Sequence, residues 1–190
     1  MYLKISFILL ISIVVSCQPI EKLTPLEIDI SKLEKISINA KDIKLNNKYK
    51  SVFSQNNIED QSQKLPIDVL IEWNKNNILN YGNENNLTIN ILDASITRME
   101  VENVDAKKYE EKTIYKYELF FLAEYQIYDG SGFLRANTTV ETSRSTTSQK
   151  YISLNETEII INNLISLSLK DYINETKKQL SIYMNDYLGD

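Results

Sequence analysis

Acidic side chains are the first candidates for chemistry in this sequence, because it contains no histidine. Histidine is the commonest general base and a frequent metal ligand, so its absence narrows the possible reactions. Two carboxylate pairs remain: Glu100 with Glu102, and the adjacent Glu110 and Glu111. Paired carboxylates perform hydrolytic acid/base chemistry when burial separates their pKa values. These pairs lie among lysines and other polar residues, which favours solvated surface charge over catalysis.

The other candidate is Cys17, the single cysteine, which ends the motif Val14-Val15-Ser16-Cys17. Lys4 and an apolar stretch from Ile5 to Val15 precede it. That stretch has about 11 residues, whereas a membrane-spanning helix needs roughly 20, so the pattern is typical of a processed signal. We interpret residues 1–16 as a lipoprotein signal peptide and predict that Cys17 then carries lipid, palmitate included. The alternative, a buried strand before a free thiol, would require all these features to coincide.

The composition restricts the partners. Without residues 1–16, the chain has 20 basic and 26 acidic residues, which gives a net charge of −6. This acidity argues against a nucleic-acid partner and offers no polybasic contact with an anionic membrane, so the lipid on Cys17 is the expected anchor. None of the four glycines lies in a phosphate-loop spacing. We predict no catalytic residue, no cofactor and no metal, and therefore a protein that is not an enzyme.

The rest of the chain divides into a tether and one domain. Residues 17–32 form the predicted lipidated N-terminus and tether, and residues 33–190 form a single α+β domain. Alternating apolar residues predict a strand over Lys35–Ile43, with Ile36, Ile38 and Ala40 on its buried face. The polar residues 46–64 predict an exposed connection.

Proline and glycine delimit the first predicted helix, which begins at Pro66 and ends at Tyr81 before Gly82. Trp73, the only tryptophan, lies at the margin of its apolar stripe. A ligand platform is the functional interpretation of Trp73, and packing at the edge of the core is favoured over it.

Three long strands are predicted next, over Leu87–Glu102, Thr113–Tyr128 and Phe133–Thr147. A change of apolar phase near Leu92-Asp93 predicts a bulge in the first, and Asp129-Gly130-Ser131-Gly132 predicts a hairpin turn before the third.

A capping box at Ser153 and Glu156 begins the last helix. Since no proline or glycine follows before Leu188, this helix either projects from the domain or breaks near Asn174-Glu175-Thr176.

Two segments suggest binding surfaces. The tyrosines Tyr115, Tyr117, Tyr125 and Tyr128 offer an apolar body with a polar tip, suited to lipid or protein surfaces. A sheet face covered by the helices is the favoured interpretation of these tyrosines. The Ser/Thr-rich residues 138–148 around Arg144 suggest a recognition loop or, preferably, the polar end of a strand.

Together the elements read β-α-β-β-β-α. They predict an α+β fold, a two-layer sandwich in which a four-stranded, mostly antiparallel sheet carries two helices on one face. The first strand is expected to pair in parallel through the β-α-β crossover.

This order resembles that of small Gram-negative envelope lipoproteins, such as the ABC-type transport auxiliary lipoproteins and the lipopolysaccharide-assembly lipoprotein. The residues that carry the resemblance are Val14–Cys17, Trp73, Leu92–Thr97, Glu141–Arg144 and Ser153–Glu156. The resemblance implies a lipid-anchored accessory that holds an envelope protein partner or lipid. Gln18 after the cysteine resembles the class sorted to the outer membrane, facing the periplasm. The alternative function is a module that binds a lipid or small amphiphile between sheet and helices.

Overall fold

The computed structural model describes Leu26 and residues 29–52 and 54–189. Their helices and strands are β1 (Ile36–Ile38), β2 (Asp42–Asn47), α1 (Pro66–Asn77), β3 (Ile78–Asn80), β4 (Asn86–Glu102), β5 (Thr113–Tyr128), β6 (Leu134–Gln149) and α2 (Leu154–Tyr183). Short 3-10 helices lie at Ile30–Lys32, Glu59–Gln61 and Asn185–Tyr187. The predicted signal peptide and Cys17 lie outside the described residues.

The main sheet has four strands in the order β2-β4-β5-β6. β5 pairs antiparallel with both β4 and β6, whereas β2 pairs in parallel with β4. On β5, Tyr125 contacts Asn74 of α1 and Tyr172 of α2, so both helices lie on the same face. The predicted α+β fold and the parallel first strand are confirmed.

The predicted bulge and hairpin turn are also confirmed. The register of β4 against β5 shifts between Ile91 and Asp93, which keeps both Ile91 and Ala94 on the buried face. In the turn, the Asp129 carboxylate accepts the N–H groups of Ser131 and Phe133 at 2.9 and 3.0 Å. Gly132 has φ +83°, a conformation that glycine adopts without steric cost.

The prediction of one strand over Lys35–Ile43 is wrong, because the chain changes sheets within it. β1 pairs in parallel with β3 in a separate two-stranded sheet, and β2 joins the main sheet. Around Asn39 the chain approaches Gly82 so closely that a Cβ there would lie 2.8 Å from the backbone N of Ala40. The predicted inward positions Ile36, Ile38 and Ala40 are nevertheless buried.

The predicted end of the first helix is also wrong. α1 ends at Asn77 and not at Tyr81, because Ile78 turns to an extended conformation and pairs with Ile36. The Asn77 side chain donates to Leu33 O at 2.8 Å, which ties this end of α1 to the segment before β1. Gly82 therefore allows the chain to pass close to Asn39, and it does not end α1.

The last helix is continuous. The capping box forms, with the Ser153 hydroxyl accepting the Glu156 N–H and the Glu156 carboxylate accepting the Ser153 N–H. Of the two predicted alternatives, a break at 174–176 does not occur, and α2 ends at Tyr183. Its 30 residues correspond to about 45 Å. Within the described ranges, no helix is both long and apolar enough to cross a membrane.

Residues 46–64 are only partly an exposed connection, which corrects that prediction. β2 includes its first two residues, and Ile58 is 1% exposed. Ile58 N donates to Ile96 O at 3.2 Å and Arg98 N donates to Asn56 O at 2.7 Å. This segment therefore pairs with β4 beyond the end of β2.

The core fills the space between the main sheet and both helices. Its fully buried side chains include Leu70, Trp73, Ile89, Ile96, Leu119, Phe121, Tyr125, Leu169 and Tyr172, each 0% exposed. The predicted position of Trp73 at the core's edge is therefore wrong, since Trp73 lies at its centre.

Candidate functional site

The carboxylates considered for catalysis lie on the surface. Glu100 accepts a hydrogen bond from Lys150 at 2.8 Å, and this bond lowers the pKa of the Glu100 carboxyl. Glu102 is exposed, and Glu110 accepts the backbone N–H of Lys107 at 3.0 Å in an exposed loop. Acid catalysis near neutral pH needs a carboxyl with a raised pKa. Glu100 has the opposite shift, so this arrangement does not supply a general acid.

A buried polar cluster, which we call the core tyrosine cluster, joins the sheet to both helices through Asn74, Tyr125 and Tyr172. The Tyr125 hydroxyl donates to Asn74 Oδ1 at 2.6 Å and lies 2.8 Å from the Tyr172 hydroxyl. Burial raises the pKa of Tyr125 well above its usual value and that of Tyr172 to about 12. Both phenols therefore stay neutral and serve as hydrogen-bonded core groups.

Trp73 belongs to the packing around this cluster. Its ring meets that of Tyr172 edge-on at 5.7 Å between centroids, and its side chain is 0% exposed. A ligand platform must be accessible, so Trp73 does not fill that role.

The tyrosine face predicted from β5 divides between the two sides of the sheet. Tyr117 and Tyr125 are buried under the helices, as the favoured interpretation expected. Tyr115 is half-buried, with the Arg98 guanidinium 4.8 Å from its ring centroid. Tyr128 lies on the opposite face, where its hydroxyl donates to Gln126 at 3.0 Å. These tyrosines do not form one binding surface.

The Ser/Thr-rich residues 138–148 belong to β6 and not to a loop, as the preferred interpretation held. Arg144 forms a two-point ion pair with Asp171 of α2, with Nε–Oδ2 and NH2–Oδ1 distances of 2.6 and 3.0 Å. The Asp171 carboxylate raises the pKa of the guanidinium. This ion pair therefore links α2 to β6, the last strand of the sheet.

The sequence did not reveal a buried carboxylate, Glu59, which is only 6% exposed. It accepts hydrogen bonds from the Tyr49 hydroxyl and from Asn57 Nδ2, the latter at 2.9 Å. Burial, together with the adjacent Glu59, raises the pKa of Tyr49. These bonds satisfy Glu59 and stabilise the segment that pairs with β4.

The sequence also did not reveal a cleft of about 450 Å³ between α1 and α2, which we call the interhelical cleft. Apolar side chains of Ile30, Val69, Ile165 and Leu169 line it, and Lys64 and Glu158 stand among its polar residues. Its volume lies within the range of small-molecule sites. Sequence patterns could not identify it because its residues come from three separate segments.

The first described residue, Leu26, lies at this cleft and is held against α2. Its N–H donates to Asn163 Oδ1 at 2.7 Å, and its carbonyl accepts the Ser166 hydroxyl at 3.2 Å. Eight residues separate Leu26 from Cys17, so nine residue steps join the two. A chain of that length spans at most about 30 Å.

The described residues contain no group of three or more Cys, Asp or Glu side chains placed to hold a metal ion.

Comparison with known structures gives distant similarities, which include two bacterial lipoproteins. A minor lipoprotein from Acinetobacter baumannii shares 13% identity over 73% of this chain and 95% of its own, with a TM-score of 0.38. The rare lipoprotein B from Shewanella oneidensis shares 11% identity over 72% of this chain and 94% of its own, with a TM-score of 0.37. No family model and no curated protein matches the sequence. Such distant similarities do not transfer a fold or a function to this chain.

Proposed function

We propose that this protein is a lipid-anchored, non-enzymatic lipoprotein of the bacterial cell envelope that acts as an accessory in transport or assembly. The observation that carries this proposal is the motif Val14–Cys17 behind a charged start and a short apolar stretch. We further propose the periplasmic face of the outer membrane, because Gln18 and not Asp follows the cysteine.

The position of Leu26 supports an anchored domain. With Leu26 bonded to α2, the eight residues between it and Cys17 would keep the domain within about 30 Å of the lipid. A single acyl chain binds a membrane only marginally, so the multiple acylation of a lipoprotein cysteine would be needed for stable attachment.

The structural partners of the polar side chains support a non-catalytic role. Glu100 pairs with Lys150 at the surface, Arg144 pairs with Asp171, and Glu59 is bonded within its own segment. These groups have structural partners, so we propose that the protein works by contact with an envelope partner.

Cell fractionation of the full-length protein tests the anchor. We expect wild type in the membrane fraction and Cys17→Ala in the soluble fraction, with Ser12→Ala as a matched control that keeps the apolar stretch. Gln18→Asp should move the protein from the outer to the inner membrane. Membrane retention of Cys17→Ala would contradict the proposal.

The interhelical cleft favours a second candidate function, binding of a single-chain amphiphile. The space between sheet and helices, where the sequence suggested such a site, is filled by Trp73, Phe121 and Tyr172, so the ligand would lie between the helices instead. The apolar lining suits an acyl chain, and Lys64 and Glu158 suit a head group carrying both charges.

Titration of the purified protein with lysophosphatidylethanolamine, followed by native mass spectrometry, tests this candidate. Asn162→Trp should block the cleft, whereas Ser181→Trp adds the same side chain at an exposed position on the same helix. Equal binding by both variants would exclude the cleft.

A further inference from the structure

The outer edge of β6 is exposed along its whole length. β6 is the last strand of the main sheet and pairs only with β5, from Gln149 opposite Ile114 to Leu134 opposite Tyr128. Apart from this pairing, the one hydrogen bond to the β6 backbone within the described residues comes from the Ser148 hydroxyl to Gln149 O, at 2.9 Å. Alternate residues of this sixteen-residue strand thus present unpaired backbone groups along one side.

This edge has little of the usual protection against strand addition, with Glu141 as the one acidic residue of β6. Proteins protect exposed edges with proline, lysine, bulges or short strands. β6 contains no proline and no lysine, and its register against β5 shifts only beside the hairpin turn. Its two arginines are engaged, Arg135 with Asp129 at 2.5 Å and Arg144 with Asp171. The opposite edge differs, since β2 has only six residues.

A second copy of the chain does not fit this edge. α2 lies over β6, where Asp171 bonds Arg144 and Gln179 accepts the Thr138 hydroxyl at 3.5 Å. Paired strands lie about 4.7–4.9 Å apart, whereas packed helices need about 8–10 Å. Two copies joined at β6 would bring their α2 helices into overlap. The occupant must be a strand with no helix above it.

We propose that the outer edge of β6 binds an extended segment of a partner polypeptide as a fifth strand of the main sheet. Main-chain hydrogen bonds supply the affinity in such strand addition, and flanking side chains supply the specificity. Between Asn137 and Thr147 the exposed flanking residues are polar: Asn137, Thr139, Glu141, Ser143, Ser145 and Thr147. The partner segment is therefore polar on this face. The inference rests on the proposed contact function and specifies its surface.

Hydrogen exchange of the full-length protein tests this inference even while the partner is unidentified. Exchange over residues 134–149 is compared between isolated cell envelopes and the same protein purified in detergent. We expect alternate amides of β6 to exchange about tenfold more slowly in envelopes than in detergent. A tenfold change corresponds to about 1.4 kcal/mol of protection by the bound strand. The exposed loop at 103–112 is the internal control for general shielding and should exchange equally in both preparations.

Two neighbouring proline substitutions, Ser145→Pro and Thr146→Pro, identify the outward amides. Successive N–H groups of a strand point to opposite sides, so one substitution removes an outward donor and the other breaks the pairing with β5. The variant that keeps the wild-type melting temperature should lose the slow exchange in envelopes.

Equal exchange of the wild-type β6 amides in envelopes and detergent would overturn the inference. So would a proline variant that folds with the wild-type melting temperature and still shows the wild-type slowing of β6 exchange in envelopes. Recovery of wild type in the soluble fraction would instead contradict the membrane anchor. The two failures are therefore distinguishable, since one is read from β6 amides and the other from fractionation.

Discussion

The core tyrosine cluster predicts a large and specific loss of stability when one hydroxyl is removed. Tyr125→Phe eliminates the 2.6 Å bond to Asn74 Oδ1 and the 2.8 Å contact with the Tyr172 hydroxyl, both buried. A buried hydrogen bond contributes about 0.5–1.5 kcal/mol, and a buried group left unpaired costs about 1–3 kcal/mol. We therefore expect the free energy of unfolding to fall by about 2 kcal/mol.

Tyr128→Phe is the matched control on the same strand. The Tyr128 hydroxyl makes one bond to Gln126 at a half-buried position on the open face, so its loss should change stability by less than about 0.5 kcal/mol. Urea unfolding followed by Trp73 fluorescence is a suitable assay, because the only tryptophan is fully buried and touches Tyr172. The slope of the transition should stay unchanged.

A double-mutant cycle separates the hydrogen bond from general packing. Asn74→Leu removes the acceptor, so Tyr125→Phe should cost less in that background than in wild type, since no unpaired acceptor remains. Equal losses for Tyr125→Phe and Tyr128→Phe, or strict additivity with Asn74→Leu, would refute the assignment of the stability to this cluster.

Three other predictions follow from local geometry. Gly82→Ala should destabilise by several kcal/mol in urea unfolding, because its Cβ would lie 2.8 Å from the Ala40 backbone N; Gly130→Ala, whose Cβ would lie 3.7 Å from the nearest atom, is the control. Ser153→Ala should lower the unfolding free energy by about 1 kcal/mol through loss of the helix cap, and no change would contradict that role. An unfolded tyrosine ionises near pH 10.0 but burial raises the pKa of Tyr172 to about 12, so stability should hold below pH 10 and fall between these values. Tyr172→Phe should weaken this alkaline loss, and an identical pH profile would refute it.

The long strands were predictable because their signals are local. The alternation from Thr113 to Tyr128 matches the bounds of β5, and the phase change near Leu92-Asp93 marks the observed bulge. In each case the periodicity of buried positions in one segment determines the structure.

The errors arise where distant residues decide the local conformation. Around Asn39 the chain passes from the small sheet to the main sheet because it packs on Gly82. The helix ends before Ile78 because Ile78 pairs with Ile36 in the small sheet. A helical stripe extends through Ile78 in the sequence, so periodicity alone favours the longer helix. The interhelical cleft was not predictable for the same reason, since it requires the packing of three segments.

The geometry of α2 relates the proposed surfaces to one another. Asn162 lines the interhelical cleft, and Asp171 bonds Arg144 of β6. Nine residues correspond to about two and a half helical turns, so these side chains lie on opposite flanks of α2. The cleft and Leu26 therefore occupy one flank while the exposed edge of β6 lies at the other. An amphiphile in the cleft and a strand at β6 could bind together without steric competition, and Asn162→Trp should leave the exchange of β6 amides unchanged.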